Sequence, residues 1–278
     1  MNENHSQSSK ADRFRALHRA PKVLVLPNAW DVASARIFEE AGASAIATTS
    51  AGIAFSLGYP DGQKISREEM IGVVARIASK VKHPVSADVE AGYGNRPEDA
   101  AQTAKAVIEA GAVGLNLEDG TEDSAHPIAD LSLQLEKIAA VIETGRAKKI
   151  PLVLNARTDV YLRQVGSERS RFDEALRRLS AFRDAGADCL FVPGVRDLEL
   201  IASFVRELRH PVNVLAGPGS PSVPELQKAG VARVSLGSSP ARAAFGVARR
   251  VAQEVLTTGN YKNLEGAPSH VEMNRLLE

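Results

Sequence analysis

At 278 residues, 44% hydrophobic and 24% charged, the chain has an ordinary globular composition and is long enough for one α/β barrel of about 250 residues. Its 34 basic residues balance 34 acidic ones, which removes the electrostatic basis for nucleic acid or an anionic membrane as partner. The single cysteine, Cys189, excludes an internal disulfide and a cysteine-built zinc site, and no apolar run approaches the roughly 18 residues of a membrane span. The start, MNENHSQSSK, is polar and lacks the apolar core of a secretory signal. The expectation is a cytoplasmic protein with a disordered segment over 1–10, a single domain over 11–258 and an appended C-terminal segment over 259–278.

Along the chain, short apolar runs predict strands at 23–26 (VLVL), 45–49 (AIATT), 85–90 (VSADVE), 113–118 (VGLNLE), 152–157 (LVLNAR), 189–192 (CLFV), 212–215 (VNVL) and 233–236 (RVSL). Helical patterns lie between them, among them 66–81, 96–110 and a long one over 240–257. A recurring phrase marks the units: EEAGASAIA (39–47), IEAGAVGLN (108–116), RDAGADCLF (183–191) and QKAGVARVS (227–235). In each, Gly ends a helix in the left-handed conformation and the next strand follows at once. Eight strands alternating with helices call for a parallel sheet closed into a (β/α)8 TIM-type barrel, with an extra C-terminal helical segment. An open doubly wound sheet is the alternative, but LPNAWD (26–31) lacks the glycine fingerprint expected after its first strand.

In such a barrel the chemistry sits at the C-terminal ends of the strands, and there the unusual polar residues collect: TTSAG (48–52), ADVE (87–90), NLED (116–119) and NARTD (155–159). Alternate strand residues share a face, so Ser86, Asp88 and Glu90 fall together, as do Gly114, Asn116 and Glu118, and Asn155, Arg157 and Asp159. The intervening residues are apolar. The polar sets therefore point at the barrel axis, where Val, Ile and Leu would normally fill space.

Three carboxylates, Asp88, Glu90 and Glu118, would meet one guanidinium, Arg157. That excess of negative charge asks for protons or a cation, and hard oxygen ligands suit Mg²⁺ or Mn²⁺. A structural salt-bridge ring at the rim is the alternative. Weaker features are the Gly-rich 50–62 stretch, either an anion-holding loop or an ordinary flexible one, and Asp31, a helix N-cap. Cys189 reads as a buried small hydrophobe, and His126, in the loop TEDSAHPIAD, either reaches the mouth or is simply solvated.

In combination, PNAWDVASARIFEEAGASAIATTSAG, LGYPDG, ADVEAGYGN, NLEDG, NARTDVYL and DAGADCLFVPG resemble the isocitrate lyase/phosphoenolpyruvate mutase superfamily from about residue 20 to 250, with a carboxyphosphonoenolpyruvate phosphonomutase-like cast. The resemblance implies an α/β barrel, a homotetramer built as a dimer of dimers with an exchanged C-terminal helix, Mg²⁺, and making or breaking of a bond beside a 2-oxo acid through an enolate. It implies Asp88 as direct metal ligand, with Asp61, Glu90 and Glu118 acting through metal-bound water. Ser50, Ala51 and Gly52 would grip a substrate carboxylate, and Arg157 would face the substrate.

The chain departs from the family after its fourth strand. The C–C lyases carry a Lys-Lys/Arg-Cys-Gly-His stretch there and the phosphonate enzymes a Lys and an Asn, whereas this chain reads GTEDSAHPIAD (120–130). His126 or Tyr93 would then stand in as the acid. The expected activity is a Mg²⁺-dependent carbon–carbon lyase on a small 2-oxo or 2-hydroxy carboxylate. The alternatives are a phosphonopyruvate hydrolase or mutase-type P–C bond enzyme and a non-catalytic carboxylate-binding barrel.

Overall fold

The computed structural model describes residues 3–278, with side chains from Gln7 onward. In chain order the elements are α1 (Glu3–Leu17), β1 (Leu24–Leu26), β2 (Asn28–Ala29), α2 (Val32–Glu40), β3 (Ile46–Thr48), α3 (Ser50–Ser56), α4 (Arg67–Lys80), β4 (Val85–Asp88), α5 (Pro97–Glu109), β5 (Gly114–Glu118), α6 (Leu131–Ala147) and β6 (Val153–Arg157). There follow α7 (Glu168–Asp184), β7 (Cys189–Phe191), α8 (Leu198–Leu208), β8 (Val212–Leu215), α9 (Val223–Lys228), β9 (Arg233–Ser235), α10 (Ser239–Thr258) and α11 (His270–Leu277).

Every strand pairing is parallel, in the order β1-β9-β8-β7-β6-β5-β4-β3-β2. β1 matches the first predicted strand (23–26), and β2 continues it as an unpredicted second half beyond Pro27, which has no N–H to give a ladder. One half pairs with β9 and the other with β3. Asn28 stitches the seam: its Nδ2 donates to Thr48 O and its Oδ1 accepts from Leu236 N and Gly237 N. The sheet is thus a TIM-type barrel, as the strand count predicts.

The recurring Ala-Gly phrase does what its chemistry requires, with Gly42 and Gly111 at φ 95° and 86° just past α2 and α5. Asp31 caps α2 in a capping box with Ser34. Ala87, Val89, Leu115, Leu117, Leu154 and Ala156 are buried in the hydrophobic core. Two expectations change. The polar start is helical from Glu3: α1 lies across the N-terminal ends of the strands, with Arg15 donating to Pro151 O and Leu152 O and pairing with Asp188 at 2.7 Å. Residues 1 and 2 of the expected disordered segment lie outside the described residues. The 50–62 stretch opens as a short helix, α3, because Thr49 caps it by accepting from Gly52 N. In the C-terminal segment, α11 folds back on α2, where Leu276 O accepts from Arg36 Nε at 2.7 Å.

Candidate active site

Asp88 is the last residue of β4 and points into the barrel mouth. Its Oδ2 accepts from Ser50 N at 3.0 Å and Ser50 Oγ at 2.8 Å, its Oδ1 accepts from Asn116 Nδ2 at 3.2 Å, and its own N–H donates to Thr48 Oγ1. Ser50 therefore serves Asp88, a different task from the carboxylate grip that the resemblance implies. Gly52 N serves the helix cap, and Ala51 is buried beside them.

Glu90 arrives by another route than strand parity. β4 has already ended, and Glu90 takes a left-handed φ of 52°, followed by Tyr93 at 60°. Non-glycine residues pay roughly 1–2 kcal/mol each for that conformation. Neighbouring elements hold the turn there. Lys137 Nζ donates to Ala91 O and Gly94 O, Thr103 Oγ1 to Gly92 O, and Arg67 Nη2 to Tyr93 O. Gln63, itself at φ 55°, clamps the turn from the far side, its N donating to Glu90 Oε2 at 2.5 Å and its Oε1 accepting from Tyr93 N. The other Glu90 oxygen, Oε1, is buried without a partner among the described residues.

Across the mouth, Glu118 ends β5 and Arg157 ends β6, in register with each other. Arg157 Nη1 meets Glu118 Oε2 at 2.6 Å, while Nε and Nη2 donate to Asp159 at 2.6 and 3.1 Å. The guanidinium also lies 5.7 Å from the centre of the Phe191 ring. Part of the rim is therefore the salt-bridge ring that composition allows. Asp119, which the strand pattern did not single out, is fully buried and ties β5 to the chain after β6: it accepts from Thr158 Oγ1, Asp159 N and Arg178 Nη1.

The electrostatics remain unbalanced. Burial, then the charges of Asp88 and Asp61, push the Glu90 carboxyl up to about 7. Burial lifts Glu118 well above the carboxylate range against the pull of Arg157. Asp61 still reaches solvent, yet desolvation at the mouth and the nearby Asp88 raise it too. Among the described residues, no three His, Cys, Asp or Glu side chains converge closely enough to hold a metal ion by themselves. The donor set instead fits a hard cation that keeps most of its waters: one carboxylate for direct contact, others behind it, and an orphaned carboxylate oxygen among them.

Tyr93 presents a buried hydroxyl with no partner among the described residues, and burial together with Glu90 raises its phenol, which stays protonated. It borders a cavity of about 980 Å³ that Glu118, His126, Gln134 and Lys137 also line. His126 stands at the exposed rim, its Nδ1 2.9 Å from Asp123 Oδ2, which raises the imidazole. Cys189 is buried and pushed up to about 12 by burial, an inert thiol.

A sequence model of the family described as phosphoenolpyruvate phosphomutase matches residues 14–256. The chain belongs to this family. A Burkholderia cenocepacia J2315 protein, provisionally described as a lyase/mutase, is 41% identical with a TM-score of 0.92, the match covering 98% of this chain and 96% of that one. Oxaloacetate acetylhydrolase in complex with the product oxalate is 28% identical with a TM-score of 0.85, over 97% and 94% of the two chains. The 2-methylisocitrate lyase of Bacillus subtilis (strain 168) is 28% identical over 78% of this chain and 69% of its own. Within this phosphoenolpyruvate phosphomutase family member, Asp88, Glu90, Glu118 and Arg157 surround one mouth, Tyr93 borders the adjoining cavity, and His126 stands apart at its edge.

Proposed function

We propose that the protein is a Mg²⁺-dependent carbon–carbon lyase acting on a small 2-oxo or 2-hydroxy carboxylate. The observation that carries this reading is the partly dry group of Asp61, Asp88, Glu90 and Glu118 around Arg157 at the C-terminal mouth. Membership of the phosphoenolpyruvate phosphomutase family and likeness to a 2-methylisocitrate lyase support it.

Asp88 would hold the ion directly, its carboxylate aimed by Ser50 and Asn116; Asp61, Glu90 and Glu118 would accept hydrogen bonds from the ion's waters. When bound, Mg²⁺ (or Mn²⁺) supplies the positive charge that favours an enolate as the bond beside the carbonyl breaks. Arg157, fixed on two sides by Glu118 and Asp159, keeps N–H donors for the substrate carboxylate and orients it. Tyr93 is the better placed acid: its phenol is protonated, has no hydrogen-bond partner among the described residues and lies on the cavity wall, so it can donate a proton to the carbon that loses its bond. His126, tied to Asp123 at the exposed rim, is the weaker candidate. A cytoplasmic location and assembly as a dimer of dimers belong to the same proposal.

A Mg²⁺-dependent turnover screen over oxaloacetate, methylisocitrate, substituted malates and phosphonopyruvate tests this reading. Cleavage of one of the first three, lost in Asp88→Ala, is the expected result; unchanged turnover in that variant would put the site elsewhere. The family's own description favours P–C chemistry as the second reading, and phosphate release from phosphonopyruvate would select it. Stabilisation by 2-oxo acids with no turnover anywhere in the panel would indicate a binding barrel.

A further inference from the structure

Arg233 opens β9 at the end of the barrel opposite the mouth and is fully buried, yet among the described residues no carboxylate lies within ion-pair distance of it. A lone guanidinium in such a place is costly unless its charge does something. Its Nε donates to Ser235 Oγ at 3.2 Å, and its Nη2 donates to Asn116 Oδ1 at 3.3 Å. Asn155 Nδ2 donates to the same Oδ1 at 2.8 Å. Asn116 in turn donates from Nδ2 to Asp88 Oδ1 at 3.2 Å.

The chemistry of arginine fixes the direction of this chain. A guanidinium has donors only, so the Asn116 atom that faces Arg233 and Asn155 must be the oxygen, and the amide hydrogen must face Asp88. Asp88 is then obliged to accept, and it accepts from Ser50 on its other oxygen. On the α1 side, burial and the Arg233 charge bring His18 down to about 3, so that it adds no competing positive charge.

We propose that Arg233 is a positioning residue for the site: acting through Asn116, it orders the Asp88 carboxylate as an aimed acceptor at the mouth. This rests on the reading of Asp88 as the metal-holding carboxylate. Removing such supporting groups typically weakens metal affinity about 10–100-fold.

The test is Mn²⁺ binding measured by calorimetry on wild type, Asp88→Ala, Arg233→Met, Arg233→Lys and Asn116→Leu, each checked for a wild-type circular dichroism spectrum. Asp88→Ala should abolish binding. Arg233→Met and Asn116→Leu should each weaken it about tenfold or more, and Arg233→Lys should recover part of the loss. The Arg233→Met/Asn116→Leu double variant should bind no more weakly than Asn116→Leu alone, because both act through one bridge. A folded Arg233→Met protein with a lower Tm but wild-type Mn²⁺ affinity overturns the proposal and leaves Arg233 as scaffold only. If Arg233→Met does not fold, Asn116→Leu decides, and wild-type affinity there overturns it equally. Should Asp88→Ala bind Mn²⁺ as wild type does, the reading of the metal site itself fails and takes this inference with it. Loss in Asp88→Ala with no loss in Asn116→Leu sinks the inference alone.

Discussion

Glu90 carries a carboxylate, on a left-handed backbone, towards the charges of Asp61 and Asp88. Its folded-state carboxyl is raised, so it favours the protonated form more in the native protein than in the unfolded chain. Its contribution to stability is therefore fully present below the ordinary glutamate pKa and is lost as pH rises through about 7. In metal-free protein, Glu90→Gln should gain on wild type by roughly 3 kcal/mol between pH 4.5 and pH 8, read from urea unfolding at each pH. Saturating Mn²⁺ should shrink that difference at pH 8. A flat difference between the two proteins across pH would show that Glu90 is solvated and carries no such strain. Much of this site is legible in the residues: Asp88, Glu118 and Arg157 follow from strand parity, because each ends a regular strand. Glu90 reaches the same place by a turn that parity cannot describe, held by Gln63 and Lys137 from distant parts of the chain. Arg233 is harder still, since nothing in a run like ARVSL says that its one charge is turned inward.

At the scale of elements, α1 closes the N-terminal end of the barrel. Its sequence is polar almost throughout, and among its described side chains only Ala11 and Phe14 are completely buried, with His18 behind them. A stripe that narrow, in a strongly polar background, reads as a disordered leader rather than a helix. What anchors it is complementary emptiness: Gly114 begins β5, and a Cβ there would lie 2.7 Å from Phe14 Cε1. Phe14→Ala should therefore cost about 3–5 kcal/mol, measured by denaturant unfolding. Gly114→Val should displace α1 and produce a loss of similar order. If Phe14→Ala left the unfolding midpoint unchanged, α1 would be an ornament rather than a plug. The barrel itself is legible in advance because each αβ unit repeats one piece of chemistry, a helix ended by Gly and a short apolar strand. The split at Pro27 is the exception, a local interruption that Asn28 bridges from the side.

For the whole molecule, the unanswered question is what covers α10. Of its 20 residues only Ala241 is buried, while Phe245, Val247, Val255 and Leu256 stand exposed, Leu256 at 85%. Tyr261 and Val271 in the following segment are exposed at 65% and 75%. A succession of large apolar side chains along one helix and its continuation is more than the scattered apolar surface that monomers carry. The helix is amphipathic enough to form, but within one chain its apolar side finds no partner among the described residues. A second copy of the same chain, offering the same helix, is the partner that symmetry provides most readily, and an isologous contact would cover both faces at once. Sedimentation of the purified protein should therefore give a species larger than one chain, and the Phe245→Glu/Leu256→Glu double variant should sediment as a monomer. The variant should retain the barrel's circular dichroism spectrum, because neither side chain contributes to the core. A wild-type protein that sediments as a monomer at micromolar concentration would mean that this face stays open to water, and the proposed dimer of dimers would fall with it.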